Sequence, residues 1–212
     1  MEFLATFLDI VLHLDRHLVE LVREYGVWVY AILFAIIFSE TGFVVTPFLP
    51  GDSLLFVAGA VAASGAMDVN LLVFLLVVAA VAGNSVNYAI GRWLGKRFFT
   101  DRGSRWLNPR HLEKAHAFYE EHGGKAVIIS RFLPIVRTYI PFVAGLGAME
   151  PGRYTAFNVA GGVLWVASLC YAGFFFGNIP WIKGNLTLII VGIIVVSLVP
   201  VVWAWLKSRK AG

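Results

Sequence analysis

The sequence predicts an all-α integral membrane protein with about four spanning helices and two opposed re-entrant helical hairpins in an inverted repeat. Three observations carry that expectation. The 212-residue chain is 59% apolar and only 14% charged, with a mean hydropathy of +0.78, whereas ordinary soluble domains carry about 25% charge. Three uncharged windows, Val69 to Gly91, Tyr154 to Asn178 and Leu186 to Leu206, approach the roughly 20 residues that a spanning helix needs. Finally, short motifs recur in order: "FLP" at 48–50 and 132–134, "FVAG" at 56–59 and 142–145, and "GAM" at 65–67 and 147–149, with a fainter echo of "NYAIGRWLG" (87–95) in "CYAGFFFG" (170–177).

Residues 1–24 mix acids and bases (Glu2, Asp9, Asp15, Arg16, Glu20, Arg23, Glu24). A cleavable signal would show a basic start followed by an apolar core. Leu4, Phe7, Leu8, Val11, Leu14, Leu18 and Leu21 recur at helical spacing, which predicts an amphipathic helix on the membrane surface. Residues 26–95 are expected to hold a first span, an outer re-entrant hairpin over 41–68 turning at Pro47, Pro50 and Gly51, and a second span. Residues 96–123 read as a cytoplasmic amphipathic loop. Residues 124–178 supply an inner re-entrant hairpin and a third span, and residues 186–206 a fourth. The whole chain is read as one membrane domain.

Charge fixes the expected orientation. Between Arg92 and Lys125 stand eight Lys or Arg residues against four acids, and the tail "KSRK" (207–210) is basic again. The positive-inside rule puts both in the cytoplasm. Two spans lie between Tyr154 and Leu206, so the chain at Tyr154 is also cytoplasmic. The stretch from Lys125 to Arg153 must then leave the cytoplasm and return, as a hairpin of half-helices with Pro134 and Pro141 helping to form the break. Counting backwards makes 41–68 a second hairpin entering from outside, and the N-terminus and C-terminus cytoplasmic. A unit with one crossing has an inverted copy, a plan that secondary transporters use to place substrate near the midplane.

Few ionisable groups remain inside the apolar regions: Glu40 and Asp52 around the first hairpin, Arg131 and Arg137 in the second. Charges at that depth face an interior and find partners. One reading is a purely structural set of pairs. The reading favoured here is a phosphate site, because arginine offers a planar fork that grips phosphate bidentately. Half-helix N-termini near Pro50 and Pro134 add positive dipole. Buried carboxylates hold their protons more tightly unless a cation compensates, so Glu40 and Asp52 are expected to exchange protons as arginine is engaged or released.

Other groups point to less. Asn84, Asn87 and Tyr88 lie on a spanning helix and are expected to support the site by bonding to a hairpin or to act as packing glue. His13 and His17 follow Asp9 on one helix face, but no Glu follows His13 as a zinc hydrolase requires. His111, His116 and His122 fall in the basic loop. "GRWLGKR" lacks the glycine spacing and the Ser or Thr of a phosphate loop. Cys170, the sole cysteine, excludes an internal disulfide. No Ser-His, Cys-His or metal-ligand pattern is visible, so no enzyme, cofactor or metal is expected. The net charge of +4, without aromatic-interleaved basic patches, favours anionic headgroups over nucleic acid.

The motifs "FSETGFVVTPFLPGDSLLFVAGA" (38–60), "GNSVNYAIGRWLG" (83–95), "RFLPIVRTYIPFVAG" (131–145) and "FNVAGGVLWV" (157–166), with "EYGVWVYAILF" and "HGGKAVI", cover most of the chain. They resemble the DedA family of membrane proteins, also called the VTT or SNARE-associated family. The resemblance implies a bacterial inner-membrane protein with two opposed re-entrant hairpins that moves lipid between leaflets. Relatives are linked to undecaprenyl phosphate, phosphatidylethanolamine and phospholipid scrambling, and to proton-motive force, envelope integrity and drug resistance. By motif match, Glu40 and Asp52 take the family's essential acidic positions, and Arg131 and Arg137 its essential basic ones. The expected function is a proton-linked, flippase-like or scramblase-like carrier of undecaprenyl phosphate or a related phospholipid. Its expected partners are membrane lipids and protons, with a second copy of the chain as a further candidate. The alternatives are a proton-coupled antiporter for ions or cationic drugs and a structural membrane protein.

Overall fold

A computed structural model describes residues 14–43, 51–100, 124–177, 179–185, 188–189 and 191–193. Every regular element named among them is a helix: α1 (Leu14–Tyr25), α2 (Trp28–Gly42), α3 (Gly51–Ala62), α4 (Val69–Thr100), α5 (Lys125–Ser130), α6 (Pro134–Leu146), α7 (Pro151–Phe176) and α8 (Pro180–Gly184). Two stretches are long and apolar enough to cross a membrane, Val69–Gly95 and Pro151–Phe176, where the second and third spans are expected. At about 1.5 Å per residue, the 15 residues of α2 reach roughly 22 Å, short of a bilayer core of about 30 Å. The turn expected at Pro47 and Pro50, most of the 96–123 loop and most of the 186–206 span lie outside the described residues.

The long helices expose large apolar side chains and bury amides among their aliphatic and aromatic residues. On α4 the exposed positions include Leu71, Phe74, Val78, Val86, Ile90 and Trp93, while Asn84 and Asn87 are buried. On α7, Val159, Val163, Leu164, Phe175 and Phe176 are exposed and Asn158 is buried. A soluble fold solvates such amides and hides such aliphatics. Hydrocarbon outside the protein reverses that preference, so the chain is a membrane protein.

The described residues fall into two compact units, one drawn from 1–36, 48–77 and 166–212 and the other from 37–47 and 78–165. In the first, α1 packs on α3 with Leu18 buried, so this amphipathic helix has a protein surface for part of its apolar face. Asp68 begins α4 by accepting from the Leu71 amide at 2.8 Å, while its own amide donates to the Tyr30 hydroxyl at 2.7 Å. This satisfies a donor that a helix start leaves open.

Small residues bring helices together in both units, through matching positions of the recurring motifs. In the first, a Cβ on Gly59 of α3 would strike the Cys170 carbonyl, and one on Gly173 of α7 the Phe56 carbonyl. In the second, a Cβ on Gly145 of α6 would strike the Tyr88 carbonyl, and one on Gly91 of α4 the Phe142 carbonyl. Phe56 and Gly59 belong to the first "FVAG", Phe142 and Gly145 to its repeat. Each unit thus packs the "FVAG" helix of one sequence half against the glycine-bearing long helix of the other. Such close approach of backbones is what holds helices together where lipid removes the hydrophobic drive.

Candidate functional site

Arg131 and Arg137 flank a break in the second unit. Helix α5 ends at Ser130, residues 131–133 form a turn, and α6 starts at Pro134. Pro134 lacks an N–H where a helix start has no acceptor for one, and it pushes Leu133 into an extended conformation (φ −117°, ψ 102°). Pro141 differs from its expected role: it sits inside α6 and does not end the helix. Its ring removes the N–H that would bond the Arg137 carbonyl, and Asn87 Nδ2 reaches in from α4 to bond the next carbonyl, that of Thr138, at 2.8 Å. The same nitrogen lies 3.3 Å from the Thr41 carbonyl at the end of α2.

Glu40 sits in the last turn of α2 on the same buried face as Ile37 and is 0% exposed. Its Oε1 accepts from Arg137 Nη2 in a buried ion pair. Gly83 of α4 leaves the space that Thr41 Oγ1 fills beside this turn, and Thr41 bonds back to the Ile37 carbonyl at 2.8 Å.

Arg131 is held differently. Its Nη2 donates to Asn158 Oδ1 at 2.5 Å and lies 3.3 Å from the Asn158 carbonyl and 3.4 Å from the Ala80 carbonyl. The Asn84 amide satisfies its neighbours in one orientation, with its nitrogen donating to the Thr41 carbonyl at 3.2 Å and its oxygen accepting from Arg131 Nη2 at 3.0 Å. Both guanidiniums face one indole: the Trp165 ring centre lies 4.9 Å from Arg137 Cζ and 6.0 Å from Arg131 Cζ, close enough for cation–π attraction.

Tyr88 locks the same helices one turn further on. Its ring stacks on Tyr154 at 4.1 Å between centres, its hydroxyl donates to the Met149 carbonyl, and it accepts from Arg92 at 2.9 Å. Tyr154 in turn donates to the Asn84 carbonyl at 2.9 Å. The fourth predicted charge, Asp52, stands in the first turn of α3, half-buried, in the other unit.

The second unit therefore brings together Glu40, Arg131, Arg137, Asn84, Asn87 and Tyr88. Sequence reasoning missed Asn158 and Trp165. Their signal lies in "FNVAGGVLWV" (157–166), where Asn158, Gly161, Gly162 and Trp165 share one helix face at i, i+3, i+4 and i+7 spacing. Chemically, the arrangement is a buried cationic pair in which Glu40 pairs with Arg137. Among the described residues no group of His, Cys, Asp and Glu suited to a metal occurs.

A family model described as the VTT domain matches residues 49–175. Protein DedA of Escherichia coli (strain K12) is 54% identical over 213 residues, covering 100% of this chain and 97% of that protein. An uncharacterized membrane protein of Mycobacterium leprae (strain TN) is 43% identical over 176 residues, 82% of this chain and 79% of its own. The inner membrane protein YqjA of Escherichia coli (strain K12) is 42% identical over 154 residues, 71% of this chain and 69% of its own. No solved structure matches the chain.

Proposed function

The chain belongs to the DedA family of VTT-domain membrane proteins, and on that premise we propose that it carries an anionic, phosphate-bearing lipid between the leaflets of a bacterial inner membrane. Undecaprenyl phosphate, returned from the outer to the inner leaflet, is the leading substrate. Arg131 and Arg137 bind its phosphate, Glu40 competes for Arg137 and takes up a proton, and the prenyl tail stays in lipid, which avoids its large transfer cost.

The supporting observation is the placement of two buried guanidiniums on one indole, only one of them matched by Glu40. Burying both solely for stability is costly, since an apolar pair of similar volume serves a core as well or better. Protonating Glu40 weakens its hold on Arg137 and raises the net positive charge of the site, so phosphate capture and proton uptake favour each other. A cation antiporter needs Glu40 open to its substrate, and an ion pair with Arg137 disfavours that. The finer topology belongs to this proposal: residues 41–68 and the segment from Lys125 to Arg153 are re-entrant hairpins of an inverted repeat, with both termini cytoplasmic. The matched glycine contacts in the two units support the repeat.

The test is leaflet-resolved movement of a polyprenyl phosphate in proteoliposomes, with and without a pH gradient. Movement that needs Arg131 and Arg137 and responds to the gradient is expected. Proton-coupled cation flux with no lipid movement overturns the reading in favour of an antiporter.

A further inference from the structure

The two arginines are not equivalent. Arg137 has a carboxylate, Glu40, while among the described residues Arg131 donates to neutral carbonyls and amides. Arg131 is nonetheless 2% exposed, and a buried charge ordinarily demands a counter-charge. The nearest of its acceptors is the side chain of Asn158. Aspartate is nearly isosteric with asparagine and at that position would complete an ion pair.

Asn158 is fixed from behind. Its Nδ2 donates to the Val81 carbonyl at 3.0 Å and to Ser85 Oγ at 3.2 Å on α4, so Oδ1 is the amide atom turned to Arg131. Gly161 and Gly162 on the same face let the arginine lie against α7: a Cβ on Gly161 would come within 3.2 Å of Arg131 Cδ, and one on Gly162 within 3.5 Å of Nη2. Among the described residues the guanidinium's hydrogen bonds converge on Nη2, and Nε is buried with no acceptor. A guanidinium carries five donors, so bonding capacity remains.

Resting on the phosphate-binding reading above, we infer that Asn158 is a positioning residue that orients Arg131 while leaving its charge uncompensated, so that Arg131 is the standing anion receptor and Arg137 the arginine gated by Glu40. The ligand chemistry is a phosphate group bearing at least one negative charge. In a lipid headgroup or as free phosphate, it supplies the missing negative charge and an acceptor for Nε. Neutral acceptors fix the fork without competing for it, whereas a carboxylate at the same distance would occupy it permanently.

The experiment uses the full chain in neutral phosphatidylcholine nanodiscs, titrated separately with dioctanoyl phosphatidic acid and with inorganic phosphate, for the unaltered protein, Asn158→Asp and Asn158→Leu. Thermal unfolding of each is recorded alongside. Asn158→Asp is expected to weaken phosphatidic acid binding at least tenfold without a matching loss of stability, and Asn158→Leu, which removes the positioning bond but adds no charge, to weaken it less. If inorganic phosphate shows the same ranking at comparable concentrations, the source is the free ion. If only the lipid does, it is the headgroup, and the inference stands in both cases. Unchanged affinity in Asn158→Asp overturns it, as do equal losses in both variants that track their unfolding temperatures. Binding of neither probe to the unaltered protein fails the phosphate-binding reading itself, a result distinct from either of those.

Discussion

Glu40 and Arg137 stand 97 positions apart in the chain and meet as an ion pair with side chains 0% and 6% exposed. The pair joins the last turn of α2 to α6, and neither charge has water to fall back on. Removing one partner strands the other, which in buried pairs costs about 3–5 kcal/mol. Glu40→Ala and Arg137→Ala are each expected to destabilise by that amount, and Glu40→Leu combined with Arg137→Leu by far less than the two single losses together. Unfolding in mixed detergent micelles measures it. Additive losses would mean that the two charges do not support each other.

Arg137→Lys keeps the charge but replaces a planar fork with a point charge on a flexible stem. Lysine can still pair with Glu40, so stability should change little. It cannot hold Glu40 and a phosphate with the same fixed geometry, nor stack its head flat on Trp165. Losing one charge-assisted hydrogen bond is worth about 1.5–3 kcal/mol, so lipid movement in proteoliposomes is expected to fall roughly ten- to a hundredfold. Full activity of this variant would count against bidentate binding.

The sequence made the spans of α4 and α7 legible because hydrocarbon disfavours charge over some 20 residues, and the uncharged stretches Val69 to Gly91 and Tyr154 to Phe176 meet that demand. Arg131, Arg137 and Glu40 were legible for the converse reason: a charge in such surroundings is too costly to be incidental. Asn158 escaped notice because a neutral amide in an apolar helix looks the same whether it glues helices or holds a guanidinium. Trp165 is one of seven tryptophans, and composition does not single out the one that two cations face. Pro141 misled because a single proline removes one helix hydrogen bond without obliging the helix to end, and it sits inside α6. Asn87, 51 positions from Thr138, bonds the neighbouring carbonyl. Whether a helix end is covered or a carbonyl satisfied depends on partners remote in the chain, which local patterns do not encode.

The glycine contacts separate packing from helix propensity. Gly145 of α6 has no room for a methyl group against the Tyr88 carbonyl, whereas the nearest atom to a Cβ on Gly152 of α7 is Glu150 Oε1 at 3.8 Å. Gly145→Ala forces α4 and α6 apart and is expected to cost about 1–3 kcal/mol, as overpacking does. Gly152→Ala should gain up to about 1 kcal/mol from helix propensity. Opposite signs in paired unfolding measurements confirm that the second "FVAG" is a contact surface. The same sign in both would remove that role.

Trp165 tests how two like charges are kept in one dry place. Its ring is 1% exposed and faces both guanidiniums, so its π-face offsets part of the repulsion between them without supplying a carboxylate that would compete with substrate. A desolvated cation–π contact is worth about 2 kcal/mol. Trp165→Leu loses this attraction along with buried area, and Trp165→Phe retains a smaller aromatic face. The leucine variant is therefore expected to be less stable than the phenylalanine variant by about 2 kcal/mol. Adding Arg137→Met to each should shrink that gap, because one of the two cations is then gone. Thermal unfolding of the four proteins, with the Glu40→Leu change included wherever Arg137 is removed so that no acid is stranded, gives the comparison. A gap that stays constant after the arginine is removed would assign Trp165 to packing alone.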